Sequence, residues 1–459
     1  MATTSIAARD GPAAIQDILT DSNAGDTIEV TGSGSYTWPR DIRVPNNRTL
    51  HVADDVSVMV PRNHSLRPQR TGTRDVYSLI SCADRVDPRN VTIRGGSYDM
   101  SAMREQAGYA GVWLHNARDS LIDDVTMTGG GYAIRDNRTY RGFGLALTNA
   151  TQCKIRDSES YNSAYDDIAV RGACRDCDVV RSGGRGGTSG TIQTARWGHW
   201  GLRGYPQGTT FEDCWGRRIY CHDGRDTVWD GCASPYRLQT IGAENPVIKN
   251  SRDFEGYVLL YTYDSGSARS RIENMEFSGA GSNANAIEIG PNGPNHGTVT
   301  IDRCTGERQR FVRFTHYSRG GSIGEIRMTN SGFRGQGRNS AIVSPAANAP
   351  SPKILRLEDC VFVNFDSGIT GRYDEVHVHN CAFHGVSGPP INVRANVVDT
   401  SNITTTNRTD VPIEHPRGPG TGSSSPSLYD DYLQLQRGRQ RATAQQLGIA
   451  KERLRALRQ

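Results

Sequence analysis

A short pattern of apolar and polar positions recurs along most of the chain. Each copy has an apolar residue, one variable residue, usually Asp, Asn or Gly, and then a small or apolar residue. The spacing between copies varies from 18 residues (Phe211 to Trp229) to 33 residues (Ile122 to Ile155). A variable period of this size, carried by short segments that alternate every second residue, predicts a solenoid of β-strands. The copies begin at Ile93, Ile122, Ile155, Val179, Phe211, Trp229, Ile248, Ile272, Ile301, Met328, Leu357 and Val378.

A second apolar series runs between these anchors. Two strand positions per period that stay in step indicate coils stacked in register, and each coil buries too little to be stable without its neighbours. We therefore predict an all-β protein, a right-handed parallel β-helix of roughly 12 to 13 coils. The second series is Leu114, Leu147, Val170, Leu202, Tyr220, Leu238, Leu260, Ile289, Phe314, Val343 and Val393.

The two ends of the coil stack need covers, because a terminal coil exposes a sheet edge and an apolar core. Ile15, Ile18 and Leu19 fall on one helical face and predict an N-terminal capping helix. The expected domains are a cap over residues 1–30, coils over 31–409, a Pro/Gly/Ser linker over 410–427 and a basic helical tail over 428–459. An apolar stripe in the tail suits a short coiled coil or docking onto a larger assembly.

Composition narrows the possible classes of protein. Of 459 residues, 22% are charged and 36% are hydrophobic, and no apolar run is long enough to span a bilayer. The net charge is +4; residues 437–459 carry seven basic residues and one acid, or +6, which leaves −2 for the remainder. The first ten residues lack a basic region followed by an apolar stretch, so we expect no secretory signal. An extracellular location would then require another route, such as assembly into a virus particle.

The cysteines and histidines suggest no metal site or cofactor. Cys214, Cys232, Cys304, Cys360 and Cys381 share one position of the repeat, which predicts a ladder of reduced structural thiols. Cys174 and Cys177 form a lone pair at CxxC spacing, which is insufficient for a zinc site. His377 and His379 share one strand face and could bind a metal together, but we interpret them as exposed surface histidines.

The repeat resembles the pectin-lyase-like superfamily, which includes pectate lyases, polygalacturonases, mannuronan epimerases and viral tailspikes. The resemblance covers about residues 14–409. Within it, the segment around Asp166 and Asp167 looks like the paired-aspartate strand of polygalacturonases. The segment around His199 resembles their Gly-His-Gly motif one coil later, and Arg218-Ile-Tyr220 resembles their Arg-Ile-Lys. Residues 141–144 lack the carboxylate that the family has one coil earlier, and Tyr220 stands where the family has Lys.

The resemblance implies Asp167, Asp166 and His199 as catalytic candidates, since glycosidic hydrolysis needs a general acid and a carboxylate that activates water. Strand alternation from Val170 points Asp167 outward and therefore ranks it above Asp166. Aromatic faces stack on sugars, and Arg and Asp bond hydroxyls and carboxylates. On these grounds the expected substrate-binding residues, all within 161–230, are Trp200, Arg203, Arg218, His222 and Asp223.

Three functions remain open at this stage. The favoured one is a surface-displayed, tailspike-like β-helix that binds cell-surface polysaccharide. A variant of this hypothesis adds that the protein also depolymerises the polysaccharide. The alternatives are a free polygalacturonase-like glycoside hydrolase or polysaccharide lyase, and a non-catalytic structural spike or adhesin. The expected partners are a polysaccharide and either further copies of the chain, such as a trimer, or a larger assembly held through residues 428–459. We expect neither a nucleic-acid partner nor a membrane span.

Overall fold

The computed structural model describes most of the chain up to residue 413. The compact unit that holds the coils spans Met1–Pro416, and Arg417–Gln459 forms a second unit that lies outside the described residues. The predicted helical tail and nearly all of the predicted linker therefore fall outside the described part. The described residues are 1–71, 74–83, 87–103, 108–129, 133–135, 138–140, 142–185, 190–195, 202, 204–252, 254–262, 267–278, 284–292, 295–315, 321–343, 352–411 and 413.

Sheet 1 is the longest sheet, with sixteen parallel strands among the described residues. All twelve predicted anchors lie in it, each paired in register with the next, as Ile93 with Ile122 and Leu357 with Val378. All twelve are completely buried. The strands are Thr3–Ala7, Thr27–Thr31, Thr49–Val52, Thr92–Arg94, Leu121–Asp123, Lys154–Arg156, Asp178–Val180, Thr210–Glu212, Val228–Asp230, Val247–Lys249, Ser267–Glu273, His296–Asp302, Ile323–Thr329, Pro352–Glu358, Glu375–His379 and Val397–Ser401.

The third residue of the repeated pattern makes the bend that follows the sheet 1 strands that carry an anchor. Asp124, Asn250 and Asn380 have φ angles of 55°, 60° and 53° there. Asp, Asn and Gly tolerate this left-handed conformation better than other residues, which explains why they recur at this position. Stacked amides join the bends, since Asn274 Nδ2 donates to Asn250 Oδ1 at 2.9 Å.

The cysteines at the fourth position of the pattern face the interior of the coil, as predicted. Cys214, Cys232, Cys304, Cys360 and Cys381 are all buried free thiols. Burial raises the pKa of the Cys304 thiol to about 12, and it raises the pKa of Cys232 well above its usual value. A thiol that stays protonated in an apolar interior is a poor nucleophile, so these residues serve packing.

Sheet 2 carries the second apolar series and has fifteen strands in the described part of the chain, fourteen of them parallel along its path. Leu147, Val170, Leu238 and Leu260 face the core as predicted. The strands are Ile42–Val44, Pro68–Thr71, Arg74–Cys82, Gly108–His115, Phe143–Thr148, Asp166–Arg171, Gly190–Ala195, Arg218–His222, Arg237–Ile241, Tyr257–Tyr261, Asn285–Gly290, Arg310–Phe314, Ser340–Val343, Ser367–Arg372 and Ile391–Arg394.

Three members of that second series were assigned wrongly. Leu202 lies outside the strands and belongs to an apolar cluster separate from the main core. At the other two positions a neighbour faces inward instead: Ile219 and Cys221 flank Tyr220 in the core, and Ile342 precedes Val343. In both cases two apolar residues stand side by side, and a one-residue shift of register exchanges the two faces of a strand.

The third face of the coils is split into two parallel arms. Trp215–Gly216 is the last strand of the first arm, and Glu276–Phe277 is the first strand of the second. Ala133–Arg135 and Arg138–Tyr140 form a separate antiparallel pair. The strands of the two arms are Gly34–Thr37, Val56–Met59, Ser97–Asp99, Thr126–Thr128, Glu159–Tyr161, Gly183–Arg185 and Trp215–Gly216, then Glu276–Phe277, Thr305–Glu307, Gly332–Arg334, Val361–Val363, Ala382–His384 and Thr404–Thr406.

The N-terminal helix covers the first edge of sheet 2. Helix α1 spans Gly11–Asp21 after a short 3-10 turn at Ala8–Asp10, and it buries Ile15 and Leu19. Gln16 forms hydrogen bonds with backbone groups of the edge strand. Its Oε1 accepts from Arg43 N at 2.7 Å, and its Nε2 donates to Arg43 O at 3.0 Å. The side chain thus replaces the missing strand partner. The predicted capping helix is present, although strand Thr3–Ala7 precedes it and already pairs with Thr27–Thr31.

Together these sheets make a parallel β-helix, the predicted fold. Sheet 1 has more strands than the estimated 12 to 13 coils, because its first three strands lack the Asp/Asn/Gly pattern from which the coils were counted. Among the described residues no helix is long and apolar enough to cross a membrane.

Candidate functional site

Asp166 begins a strand of sheet 2 and is held in a buried ion pair. Arg171 Nη2 lies 2.5 Å from Asp166 Oδ2, and both side chains are at most 1% exposed. The same guanidinium donates to Gln193 on the next strand. Its Cζ atom lies 4.8 Å from the ring centroid of Phe143 and 5.3 Å from that of Tyr165. Asp166 therefore lies on the outer side of the sheet, enclosed by aromatic rings and an arginine.

Asp167 does not face outward as alternation predicts. It is 0% exposed, and its Oδ1 accepts from the backbone N of Ser163 at 3.0 Å. Ile168 and Val170 are both in the core, so the strand bends between Asp166 and Ile168 and exchanges the directions of the two carboxylates. The ranking of Asp167 as the exposed carboxylate is therefore wrong. Its geometry is that of a side chain that caps a turn.

Among the described residues, the sheet brings one other predicted residue, Arg218, close to this aspartate pair. The strands Asp166–Arg171, Gly190–Ala195 and Arg218–His222 are consecutive neighbours in sheet 2. Arg218, at the start of its strand, lies near Asp166 across two strand spacings, which corresponds to about 10 Å, whereas His222 is in register with Arg171 at the opposite end of the strands. Three further predicted residues, His199, Trp200 and Arg203, lie outside the described residues.

His222 and Asp223 end their strand side by side. The distance from His222 Nε2 to Asp223 Oδ2 is 3.7 Å, and the side chains are 23% and 1% exposed. Asp223 has a φ of 54°, so it makes the bend that leaves the strand. His222 can reach a ligand on the outer face. Asp223 is enclosed and could influence such a ligand only through His222.

An arginine-rich cluster, of which Arg218 is a member, surrounds the ring of Tyr236. The ring of Tyr236 has three guanidinium carbons around it, with Cζ of Arg217 at 5.8 Å, Cζ of Arg218 at 5.0 Å and Cζ of Arg237 at 5.3 Å from its centroid. The ring of Tyr257 meets it edge-on at 6.1 Å. We call these five residues the arginine–tyrosine cluster. It concentrates positive charge and aromatic surface at one end of the sheet 2 strands.

Backbone register and one serine hold the cluster together. Arg218, Arg237 and Tyr257 are in-register neighbours on three successive strands. Ser234 Oγ accepts from the backbone N of Arg237 at 3.0 Å, and it donates to the carbonyl oxygen of Arg217 at 2.9 Å. The side chain of Arg237 makes no ion pair with any carboxylate in the described part of the chain, and its Nε is buried without an acceptor there.

Sequence reasoning found Arg218 but missed the other members of the cluster. A signal was available, because Arg218 and Arg237 are 19 residues apart, as are the sheet 1 anchors Trp229 and Ile248. Because both pairs of residues are separated by the same length of chain, the two arginines are expected at equivalent positions on adjacent coils.

A second open surface lies on sheet 1, where the strands lengthen from three residues to seven. Its cavity has a volume of about 670 Å³. Ion pairs already occupy part of it, since Glu325 Oε1 lies 3.3 Å from Arg327 Nη2 and 3.0 Å from Arg356 Nε. Because Glu325 offsets part of the positive charge of these arginines, this groove is a weaker candidate for an anionic ligand than the arginine–tyrosine cluster.

Comparison with solved structures supports the fold. A mutant tailspike protein of E. coli bacteriophage HK620, in complex with a pentasaccharide, matches with a TM-score of 0.51 and 10% identity over 86% of this chain and 76% of that chain. The catalytic unit of an alpha-1,3-glucanase from Streptomyces thermodiastaticus matches with a TM-score of 0.48 and 13% identity over 78% and 68%.

This chain shares the parallel β-helix fold of the tailspike. No protein-family model matches the β-helix, and no curated protein matches it in sequence. At these identities the likeness concerns the fold alone, and a fold of this kind hosts several unrelated activities.

Proposed function

We propose that this β-helix binds an acidic polysaccharide on the outer face of sheet 2, and that it acts at a cell or virion surface. The observation that carries the proposal is the arginine–tyrosine cluster. Guanidinium groups match carboxylates in a two-pronged geometry, while tyrosine rings offer flat faces to sugar rings. A long sheet with equivalent positions every 4.8 Å or so suits an extended polymer.

The pairing of Arg218 with Arg237 supports an anionic ligand. Like charges directly opposite each other on neighbouring strands destabilise a sheet. An arrangement that keeps three arginines around one ring is stabilised when an anion lies between them. The tailspike in the comparison is in complex with a pentasaccharide, which agrees with an oligosaccharide ligand for a β-helix of this shape.

The test measures binding of a panel of acidic and neutral polysaccharides to the full chain. We expect acidic polymers to bind, with an affinity that falls as salt rises. Tyr236→Ala and Arg237→Gln should each weaken that binding at least about tenfold, equal to about 1.4 kcal/mol. Arg181→Gln is the matched control, because Arg181 is an exposed arginine already paired with Asp157 at 2.7 Å. Binding that survives both cluster variants would contradict the proposal.

Depolymerisation on the same face is the second function we propose, and Asp166 is the residue that favours it. It is the member of the aspartate pair on the outer side of the sheet, and because Arg171 and two aromatic rings cover it, catalysis requires a substrate to displace that cover. Hydrolysis requires one group to protonate the leaving oxygen and another to activate water. Asp166→Asn also leaves Arg171 buried without its carboxylate, so the variant is assayed as folded protein that still binds polymer; we expect it to abolish reducing-end release, and Asp167→Asn to act only through stability. Equal rates in wild type and Asp166→Asn would rule out this role.

A further inference from the structure

The last two strands of sheet 1 bring together two histidines and one aspartate. In the strand Glu375–His379, Val376 and Val378 face the core, so His377 and His379 face outward. The strand Val397–Ser401 pairs with it, which sets Asp399 beside His377 and Ser401 beside His379. Three side chains from two coils thus converge on one patch of the outer surface.

The distances within this patch suit a metal ion. Asp399 Oδ2 lies 3.4 Å from His377 Nδ1 and 3.4 Å from His379 Nε2. One ligand atom from each of the three residues lies within 4.8 Å of the others. Ligands bound tetrahedrally to zinc at about 2.0 to 2.1 Å are separated from one another by about 3.3 Å. The two measured distances are therefore close to those of a filled site.

The outward nitrogens of both rings have partners of their own. His377 Nε2 lies 3.1 Å from Glu375 Oε2, and His379 Nδ1 lies 2.6 Å from Ser401 Oγ. A histidine that binds metal through one nitrogen usually bonds a carboxylate, carbonyl or hydroxyl through the other, which fixes its tautomer. If Nε2 of His377 carries the proton towards Glu375, the lone pair of Nδ1 points at the carboxylate of Asp399. For a neutral imidazole that contact is favourable only with a cation between the two groups, whereas an imidazolium would donate to both carboxylates.

We propose that His377, His379 and Asp399 bind one divalent transition-metal ion of the zinc class, with water completing its coordination. Two imidazoles and a carboxylate favour such ions over Ca²⁺ or Mg²⁺, which prefer oxygen ligands. The ion ties the strand Val397–Ser401 to the coil before it. That strand needs such a tie, since Val397 and Val398 are 44% and 52% exposed.

The first test titrates the untagged full chain with zinc chloride in a calorimeter. One saturable site is expected, which His379→Ala should weaken at least about a hundredfold and Glu375→Gln about tenfold. His384→Ala is the control, because His384 lies on another sheet and bonds Thr406. Calcium chloride should give no heat of binding. Absence of saturable zinc binding by the wild-type protein, or its persistence in both His379→Ala and Asp399→Asn, would overturn the proposal.

The second test separates this site from the buried cysteines. Cobalt bound to imidazole and carboxylate lacks the intense thiolate charge-transfer absorption, so only weak visible bands should appear. Hydrogen exchange should then slow in the peptide that contains residues 397–401 when zinc is added, and stay unchanged in one that contains residues 228–230. Thiolate absorption, or equal exchange with and without zinc at residues 397–401, would place the ion elsewhere.

Discussion

The outer face of sheet 2 differs between its early and its late coils, although the inner face is the same in both. In the early coils the outward residues are apolar and form a second buried cluster, with Trp113, Phe143, Ala146 and Ala169 at most 1% exposed. In the later coils the outward residues are Arg218, His222 and Arg237, with the tyrosines around them. The comparison teaches that the inward positions build the coil, while the outward positions decide whether a stretch is covered or available to a ligand.

Arg171 lies at the border of the two regions and shows how a charged side chain is accommodated in the covered half. Arg171 lies in register with Thr148, whose Oγ1 accepts from Trp113 Nε1 at 2.8 Å. Arg171 is a cation inside the apolar cluster, and it is tolerated because Asp166 neutralises it and two rings flank it. In the late coils Arg218 and Arg237 lie around the ring of Tyr236 and are only partly buried.

The largest expected effect comes from placing one charge in each region. Ala169 and Gln239 occupy the same register position, three strands apart. Ala169→Lys buries an unpaired ammonium group and should destabilise the fold by on the order of 5 kcal/mol, or prevent folding. Gln239 is 8% exposed rather than fully buried, so Gln239→Lys can extend its amine towards solvent and should cost clearly less, about 1 to 2 kcal/mol. Thermal melts of the two variants make the test, and similar melting temperatures would contradict the distinction between the halves.

The next effect concerns the buried ion pair. Arg171→Ala leaves the Asp166 carboxylate buried without its partner and should cost about 3 to 5 kcal/mol. Arg181→Ala removes an exposed arginine from its contact with Asp157 and should cost at most about 1 kcal/mol. Denaturant midpoints measure both. A small effect of Arg171→Ala would show that Asp166 is reached by water or by another cation.

The smallest effect per residue depends on pH. Burial lowers the pKa of His115, beside Trp113, to about 4, and that of His296 to about 4. An unfolded histidine titrates near 6.5, so below that pH the unfolded state takes up protons that the folded state does not. Stability is therefore complete above about pH 6.5 and is lost as the pH falls towards 4, by roughly 3 kcal/mol per histidine.

Melting temperatures measured between pH 8 and pH 4 should follow this loss. In His296→Leu, the loss of stability between about pH 6.5 and pH 4 should be smaller by the contribution of one histidine. The slope of melting temperature against pH should not change between about pH 7 and 8. A variant curve parallel to the wild-type curve would mean that His296 is not buried in its neutral form.

The candidate site was predicted less completely than the fold, and particular residues show why. Arg218 was found because a family motif marks it, while Arg237 and Tyr236 belong to no motif and matter only through their neighbours. Asp166 and Asp167 were found as a pair, but the bend at the strand start reversed which one faces outward. His377 and His379 were noticed as neighbours on one face, yet Asp399 joins them only because the next coil is 22 residues long.

The sequence by itself determined the coil. Alternation places Ile122, Ile155 and Val179 inward, and the left-handed bends require Asp, Asn or Gly, so both features are written in local residue types. Tertiary structure alone decided which outward faces are covered, which carboxylate of the pair turns inward and which side chains from separate coils meet. Those outcomes depend on the length of each coil and on the packing outside it. Neither of these can be predicted from the local conformational preferences of the residues.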